Sequence, residues 1–361
     1  MRHPLLGPAA VLALALGTTI LDAQTSASGR GLKVMVLYDM EGVSGASEYR
    51  MVTVSHPAQY AEGRKSLTAD VNAAIAGLKA AGVTDILVVD GHGSGNYESA
   101  DVLEEQLTAP ARLISRDLPF DIYMDSYDHS IDAIVAIGMH AGAGNRVGFL
   151  SHTYSLEDIE YRVNGVPFIE TMILAAGAAR LRIPVIMVSG DDQLERELKR
   201  QMPWVRYAMT KHAVDRSRAE PLPRDEASRR IEAAAREAVL KLAEAKLPEW
   251  AGPYRFQLTF QDDQQARNAS YVSGASLGWF SNMVEFRAGD FEEGYRRSLM
   301  LIRMAAPVSS SDAANAVIGR LPNAQALALE VGDWEWERFL TGPTPPAPAG
   351  AAPKKRHWGA R

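Results

Sequence analysis

Two apolar stretches separated by a helical pattern constrain the fold most strongly. Residues 33–38 (KVMVLY) and 84–90 (TDILVVD) are short, apolar and rich in β-branched side chains, which is typical of buried strands. Between them, residues 60–81 carry apolar side chains at helical spacing, and Gly82 is placed to end the helix. A strand, a helix and a second strand within this length predict a βαβ unit with parallel strands and a right-handed crossover.

The same alternation continues to about residue 220. The later predicted elements are a short strand at 112–115, a buried strand at 133–138, a hairpin of 159–163 and 166–168 around Asn164-Gly165, a helix at 171–181 and a buried strand at 184–189. We therefore expect residues 31–220 to form an α/β metal-binding catalytic domain, with a mainly parallel sheet flanked by helices.

The pattern changes beyond Trp204. The predicted elements there are a long amphipathic helix at 225–246, strands at 254–260 and 283–286, and a closing helix at 291–302. We expect a helix and linker over 221–253, a smaller C-terminal α+β domain over 254–306 and a C-terminal extension over 307–342. Residues 343–361, which are Pro/Ala-rich and then basic, are predicted to be disordered.

The N-terminus predicts export. Residues 1–23 have the pattern of a signal peptide. Arg2 gives a basic N-terminal region, an apolar stretch follows at 5–20, and residues 22–24 form a plausible cleavage region. We therefore expect a periplasmic or secreted protein with no stable membrane span after cleavage. An N-terminal segment that is retained as an anchor is the alternative.

The composition limits which nucleophiles, metal ligands and partners the protein can have. The chain contains no cysteine, which excludes a thiol nucleophile and thiolate ligands, so any zinc ion has to be held by His, Asp and Glu. The formal net charge is −6, from 38 basic and 44 acidic side chains. This acidity argues against a nucleic-acid partner.

Acidic and imidazole side chains follow four of the predicted strands. In chain order these residues are Asp39 with Glu41, His92, His140 and Asp191. The carboxyl ends of parallel strands meet at one edge of a sheet, where ligands bind in open α/β folds. Asp39 and Glu41 lie two residues apart, so in an extended backbone they project to the same side and need a cation or a shared proton. Taken alone, the pair is equally consistent with a solvated acidic loop.

His152 and Glu170 are two further candidate site residues. With them, all the candidate ligand atoms are imidazole nitrogens or carboxylate oxygens. Such a set is typical of Zn²⁺ at a two-metal hydrolase centre, although each histidine taken singly is more often an ordinary polar residue. Other catalytic signatures are missing from the sequence. Residues 91–95 match neither a dinucleotide fingerprint nor a P-loop, and there is no G-x-S-x-G elbow and no H-E-x-x-H helix. The residues therefore favour metal-dependent hydrolysis.

Six short motifs occur in order along the chain. They are Asp39-Met40-Glu41-Gly42-Val43-Ser44-Gly45, Asp90-Gly91-His92, Gly138-Met139-His140-Ala141, Ser151-His152, Asn164 through Glu170, and Gly190-Asp191-Asp192. In order and approximate spacing they resemble the zinc-dependent D-aminopeptidase family, the DppA-type metallopeptidases. The similarity runs from about residue 33 to residue 306.

The resemblance implies a role for each matching residue. Asp39 would bridge two zinc ions, Glu41 and His92 would complete one zinc site, and the other would be completed by His140 and Glu170. His152 resembles a family histidine that acts in catalysis as a nucleophile or proton carrier. Asp191 and Asp192 match a strand-end motif that we assign to structural support. The family also forms ring-like homo-oligomers.

The expected function is that of an exported binuclear zinc aminopeptidase. It would hydrolyse the N-terminal residue, expected to be a D-amino acid, from short peptides by means of metal-activated water. Two alternatives stay open: a metal-dependent amidase acting on other small amides, and a non-catalytic periplasmic protein that only holds a ligand. The export signal, the C-terminal tail and the length of the loop from His140 to His152 depart from the family pattern.

Overall fold

The structure is a computed structural model that describes residues 31–327 except 97, 117–119 and 325. The predicted signal peptide and the predicted disordered tail lie outside the described residues, as does the end of the predicted C-terminal extension. In the part of the chain that is described, no helix has the length and apolar character needed to cross a membrane.

The described residues form two sheets and six α-helices. The strands are β1 (Lys33–Tyr38), β2 (Asp85–Asp90), β3 (Ala111–Leu113), β4 (Ala133–Met139), β5 (Asp158–Val163), β6 (Val166–Pro167), β7 (Val185–Asp191), β8 (Arg206–Asp215), β9 (Arg218–Pro221), β10 (Tyr254–Phe260), β11 (Ser276–Leu277) and β12 (Met283–Ala288). The α-helices are α1 (Pro57–Ala80), α2 (Glu170–Ala179), α3 (Asp192–Gln201), α4 (Arg224–Leu240), α5 (Asp263–Ala269) and α6 (Phe291–Ile318). Short 3₁₀ turns occur at Tyr49–Met51, Glu104–Gln106 and Leu242–Glu244.

The larger sheet is mainly parallel. Its seven strands lie in the order β3-β2-β1-β4-β7-β8-β9, and every adjacent pair is parallel except β8 with β9. Val36 at the centre of β1 is in register with Val88 of β2 and Val135 of β4. Strands β1, β2, β4 and β7 therefore end at one edge, and the loops that follow them lie side by side.

Alternation along β1 directs its side chains to two apolar layers. Val34 and Val36 pack in a layer that includes residues of α1 and α4, whereas Met35 and Leu37 point to the opposite layer, which includes residues of α2. Both faces of the strand are thus covered, which explains why it reads as a continuous apolar run.

The smaller sheet is antiparallel and lies against α5 and α6. Its five strands lie in the order β11-β12-β10-β5-β6. The β5–β6 hairpin comes from the middle of the chain, yet Tyr161 of β5 pairs with Leu258 of β10, and its hydroxyl donates to Ser298 Oγ of α6 at 2.8 Å. Residues of this sheet share one apolar layer with α2. The division of the chain into domains stays a prediction.

The predicted fold class is confirmed: a mainly parallel sheet with flanking helices is followed by a C-terminal region with an antiparallel sheet and helices. The predicted strand and helix positions agree with the structure to within a few residues in most cases. The helix predicted at 225–246 ends at Leu240, and the helix predicted at 291–302 continues to Ile318 through Pro307.

Several elements were not predicted. They are α3, β8, β9, α5 and β11. In β8, the charged residues Arg206, Lys211 and Asp215 break the apolar pattern. Arg206 and Asp215 are partly exposed because this strand lies near the sheet edge, whereas Lys211 is buried. Helix α3 has only two buried side chains, Leu194 and Leu198, which is too few for a clear periodic signal.

Candidate metal centre

The loop after β1 is held tightly against the end of β4. The Asp39 amide donates to the Ile137 carbonyl at 2.8 Å, and the Gly42 amide donates to the Gly138 carbonyl at 2.7 Å. A Cβ atom on Gly42 would lie 2.0 Å from the carbonyl oxygen of Met139, so only glycine fits there. Gly138 itself has φ +73°, in the left-handed region that favours glycine. This close approach brings the carboxylates of the first loop to the residue that follows β4, His140.

Side chains of β8 hold the same loop in place by donating hydrogen bonds to its carbonyls. The buried Lys211 ammonium donates to the carbonyls of Glu41 and Ala46, each at 2.6 Å, and Thr210 Oγ1 donates to the Gly42 carbonyl at 2.6 Å. Burial lowers the pKa of Lys211 to about 7. A neutral amine still has two N–H groups for two carbonyls, so Lys211 keeps this role in either protonation state. Lys211 was not predicted as a residue of the site, because it belongs to none of the six sequence motifs.

The six predicted site residues come together at this sheet edge. His92 Nε2 lies 3.3 Å from Glu41 Oε1, and His140 Nε2 lies 3.3 Å from Asp39 Oδ2. Glu170, the first residue of α2, places Oε1 3.6 Å from His140 Nε2 and 3.7 Å from His152 Nε2.

The rings of His140 and His152 are stacked, with centroids 4.1 Å apart. The side chain of His152 is 20% exposed, whereas the other five are at most 7% exposed. His152 is therefore the member of the set that a bound substrate can reach.

All three imidazoles have the same orientation. Nδ1 of His92 is 2.7 Å from Asp101 Oδ2, Nδ1 of His140 is 2.9 Å from the Ala141 carbonyl, and Nδ1 of His152 is 2.8 Å from the Leu150 carbonyl. Because these oxygens accept hydrogen bonds, each Nδ1 carries the proton. A ring that has lost its Nε2 proton presents the Nε2 lone pair to the centre of the cluster, which is the arrangement of a histidine that binds a metal ion. The neighbouring carboxylates outweigh burial and raise the pKa of His92 and of His140, so these two rings carry charge until a cation displaces the proton.

The cluster fits a metal ion. Glu41 Oε2 and His140 Nε2 are buried and have no hydrogen-bond partner within the described part of the chain. Ligand atoms of Asp39, Glu41 and His140 lie within 4.8 Å of one another, and so do those of His140, His152 and Glu170. Unpartnered buried acceptors are costly, and a cation bound between them would remove that cost. The donor set contains only oxygen and imidazole nitrogen, which suits Zn²⁺.

Burial and the neighbouring charged groups shift the pKa values of the side chains in the cluster. Burial and the neighbouring Glu41 raise the pKa of Asp39 well above its usual range. Burial also favours neutral Glu170, but the charge of His140 and its hydrogen bond outweigh this and bring the pKa of Glu170 to about 2. Burial and the nearby His140 lower the pKa of His152. A buried group of carboxylates needs positive charge, which is supplied by a metal ion when one is bound.

Asp191 and Asp192 lie at the end of β7 but outside this cluster. Asp191 Oδ1 accepts the amides of Gln193 and Leu194 at 3.0 and 2.8 Å and so caps α3, and its Oδ2 accepts the Phe149 amide at 2.9 Å. Asp192 Oδ1 accepts the Ala213 amide at 2.8 Å. Both carboxylates thus hold backbone in place.

Three residues that contact the cluster were not predicted. Asp101 accepts from His92, the hydroxyl of Tyr123 donates to Glu170 Oε2, and the amide of Tyr154 donates to Glu170 Oε1 at 2.5 Å. They lie in irregular segments that no periodic pattern describes. Tyr154 has φ +65°, a left-handed conformation that is rare for tyrosine and cannot be read from sequence.

The chain is similar to known proteins in sequence and in fold. The model of peptidase family M55, described as D-aminopeptidase, matches residues 32–300. A curated D-aminopeptidase of Bacillus subtilis (strain 168) is 28% identical over 277 residues, which is 76% of this chain and 98% of that protein.

The fold is also similar to a solved structure, the Zn-dependent D-aminopeptidase DppA from Bacillus subtilis, described as a self-compartmentalizing protease. The two chains have a TM-score of 0.70 and 26% sequence identity, over 76% of this chain and 98% of that one.

Proposed function

Since this chain belongs to the D-aminopeptidase family of metallo-aminopeptidases, we propose that it is an exported enzyme with two zinc ions per subunit that removes the N-terminal D-amino acid from short peptides. Family membership makes the protein a zinc-dependent peptidase of the D-aminopeptidase type. The number of zinc ions, the stereochemical preference, the export and the assembly belong to the proposal.

One observation carries the proposal. Ligand atoms of Asp39, Glu41, His140, His152 and Glu170 converge at one sheet edge, and His92 Nε2 lies 3.3 Å from Glu41 Oε1. Two of these buried ligand atoms have no hydrogen-bond partner among the described residues. Asp39 lies between the two halves of the set, because it faces His140 and shares a loop with Glu41. We assign Glu41 and His92 to one ion, His140 and Glu170 to the other, and Asp39 to both.

The chain's own residues supply binding and proton transfer. Bound zinc would polarise the scissile carbonyl and acidify water. His152 Nδ1–H donates to the Leu150 carbonyl, so Nε2 is the free base of the neutral ring. Because burial and His140 keep the pKa of His152 low, the ring is neutral near pH 7. His152 can therefore take a proton from the attacking water and deliver it to the leaving amine.

The compartment and the assembly rest on other observations. Export is supported by the basic and apolar pattern of residues 1–23. Assembly into a homo-oligomer is supported by the similar DppA structure, which is described as a self-compartmentalizing protease. N-terminal sequencing of the protein from a periplasmic fraction tests export: a chain that still begins at Met1 contradicts cleavage.

A chiral substrate panel with metal control tests the function. The purified full chain is assayed on D-Ala-D-Ala, D-Ala-L-Ala, L-Ala-L-Ala and non-peptide amides, before and after chelation and after zinc is restored. We expect release of N-terminal D-alanine that chelation abolishes and zinc restores. Hydrolysis confined to L-peptides or to non-peptide amides would contradict the proposed specificity and favour the amidase alternative.

A further inference from the structure

The outer hydrogen bonds of the two proposed zinc-binding histidines differ in charge. His92 Nδ1 donates to a carboxylate, that of Asp101, at 2.7 Å. His140 Nδ1 donates to a neutral backbone carbonyl, that of Ala141, at 2.9 Å. A carboxylate behind an imidazole fixes the ring and increases the basicity of the opposite nitrogen more than a carbonyl does.

Asp101 is held in place for this one contact. Its Oδ1 accepts from the hydroxyl of Tyr60 and from Ser94 Oγ, the latter at 2.6 Å, which leaves Oδ2 for His92. The backbone amides of His92 and Asp101 both donate to the carboxylate of Asp90, at 3.0 and 2.9 Å. Asp101 is 1% exposed. The distance between Asp101 and His92 is therefore set by buried hydrogen bonds on both sides.

The carboxylate ligands of the two halves differ in the opposite sense. Glu170 accepts from the Tyr123 hydroxyl on Oε2 and from the Tyr154 amide on Oε1. These hydrogen bonds partly neutralise the negative charge of Glu170 and so weaken its attraction for a bound cation. Glu41 has no such donor on Oε2, which is buried and unpartnered. The half with the more basic histidine thus also has the less satisfied carboxylate.

We propose that Asp101 is a positioning residue that makes the Glu41–His92 half bind zinc more tightly than the His140–Glu170 half. The centre then fills in a fixed order, and the second ion is the exchangeable one. The inference rests on the proposed function, because it takes the two-zinc assignment as its premise. Asp101 acts through His92 and contacts no substrate.

A zinc titration of the metal-free full chain tests the order of filling. The protein is stripped with a chelator and zinc is added while binding is followed by calorimetry and by equilibrium dialysis. We expect two steps in the wild type. Asp101→Asn removes the charge and keeps the shape, and it should weaken the tight step by about 10 to 100-fold while the weak step changes little. Weakening of the second step alone, or no change in either, would overturn the proposal.

Three further variants separate charge from fold. Asp101→Glu keeps the charge, so its tighter zinc-binding step should lose less affinity than that of Asp101→Asn. Equal losses of affinity in the two variants would show that the packing of Asp101 matters and its charge does not. Tyr123→Phe removes a donor from Glu170 and should alter only the weak step. Asp158→Asn changes a buried carboxylate with no hydrogen bond to any imidazole of the cluster, and both steps should persist.

Different results would contradict the proposed function and the proposed order of zinc binding. A wild-type chain that binds no zinc and releases no N-terminal residue contradicts the proposed function, and this inference fails with it. A wild-type chain that binds two zinc ions and cleaves D-peptides, but whose tight step survives in Asp101→Asn, contradicts this inference alone. Melting curves of each metal-free variant confirm that the altered binding comes from a folded protein.

Discussion

At the scale of single residues, the chemistry depends on which ring nitrogen each histidine leaves free. Hydrogen bonds to Asp101, Ala141 and Leu150 fix the proton on Nδ1 in all three rings, so the three Nε2 atoms face the carboxylates. His152 differs from the other two in being partly exposed. The separation of ligands from proton carrier therefore follows from burial and from the hydrogen bonds.

His152→Ala should reduce turnover and leave zinc binding in place. Loss of a general acid–base group typically costs about 10²–10⁴ in kcat. Zinc content is measured by atomic emission and turnover on a D-alanyl dipeptide. His212→Ala, at an exposed histidine of β8, is the matched control and should keep full activity. A His152→Ala protein that loses an equivalent of zinc would mean that His152 is a ligand.

Asp158 should make stability fall as pH rises. Burial raises the pKa of Asp158 to about 8, so the folded chain keeps a proton that the unfolded chain loses above about pH 4. Stability therefore decreases between about pH 4 and pH 8, by at most about 1.4 kcal/mol per pH unit. Urea unfolding of wild type and Asp158→Asn at several pH values measures this.

The Asn variant should flatten the pH dependence and be the more stable protein at pH 8. The control is Asp225→Asn, at an exposed carboxylate in the first turn of α4, which should keep the wild-type slope. An unchanged slope in Asp158→Asn would show that this carboxyl group does not hold its proton.

At the scale of elements, the site is made by the ends of parallel strands. Periodicity predicted β1, β2, β4 and β7, and the rule that ligands bind at their carboxyl ends predicted that the residues after them would meet. The structure brings together the residues after β1, β2 and β4, with His92 and His140 each 3.3 Å from a carboxylate of the first loop, whereas Asp191 after β7 lies outside the cluster. Sequence could not place Lys211, Asp101 or Tyr123, because each reaches the cluster through a tertiary contact that no local pattern records.

Gly42→Ala should separate the loop after β1 from β4. The added Cβ would meet the Met139 carbonyl at 2.0 Å, so the backbone has to move and the carboxylates move with it. We expect a loss of about 2–4 kcal/mol in unfolding free energy together with weaker zinc binding. Gly289→Ala is the control, because its nearest neighbour would be 3.8 Å away. Equal stability of the two variants would contradict this account of the loop.

At the scale of the whole molecule, the two sheets share one apolar layer. Phe256 of β10, Ile173 of α2 and Met35 of β1 belong to the same buried cluster. Glu170 is the first residue of the apolar helix α2, which follows the β5–β6 hairpin of the smaller sheet. The position of one proposed zinc ligand therefore depends on both sheets.

A shared core predicts cooperative unfolding. Scanning calorimetry of the purified chain should give one transition for the two sheets, and zinc should raise the temperature of that single transition because it binds only the folded form. Two separate transitions, with only one of them shifted by zinc, would show that the sheets are independent units.

The decisive measurement for the two-zinc centre is the zinc content per chain of the wild type and of Asp39→Ala. Asp39 is proposed to touch both ions, so its loss should remove both and not just one. We expect close to two zinc ions in the wild type and close to none in Asp39→Ala, with Asp225→Asn matching the wild type. A wild type with one zinc ion, or an Asp39→Ala variant that keeps two, would contradict the two-metal centre proposed here.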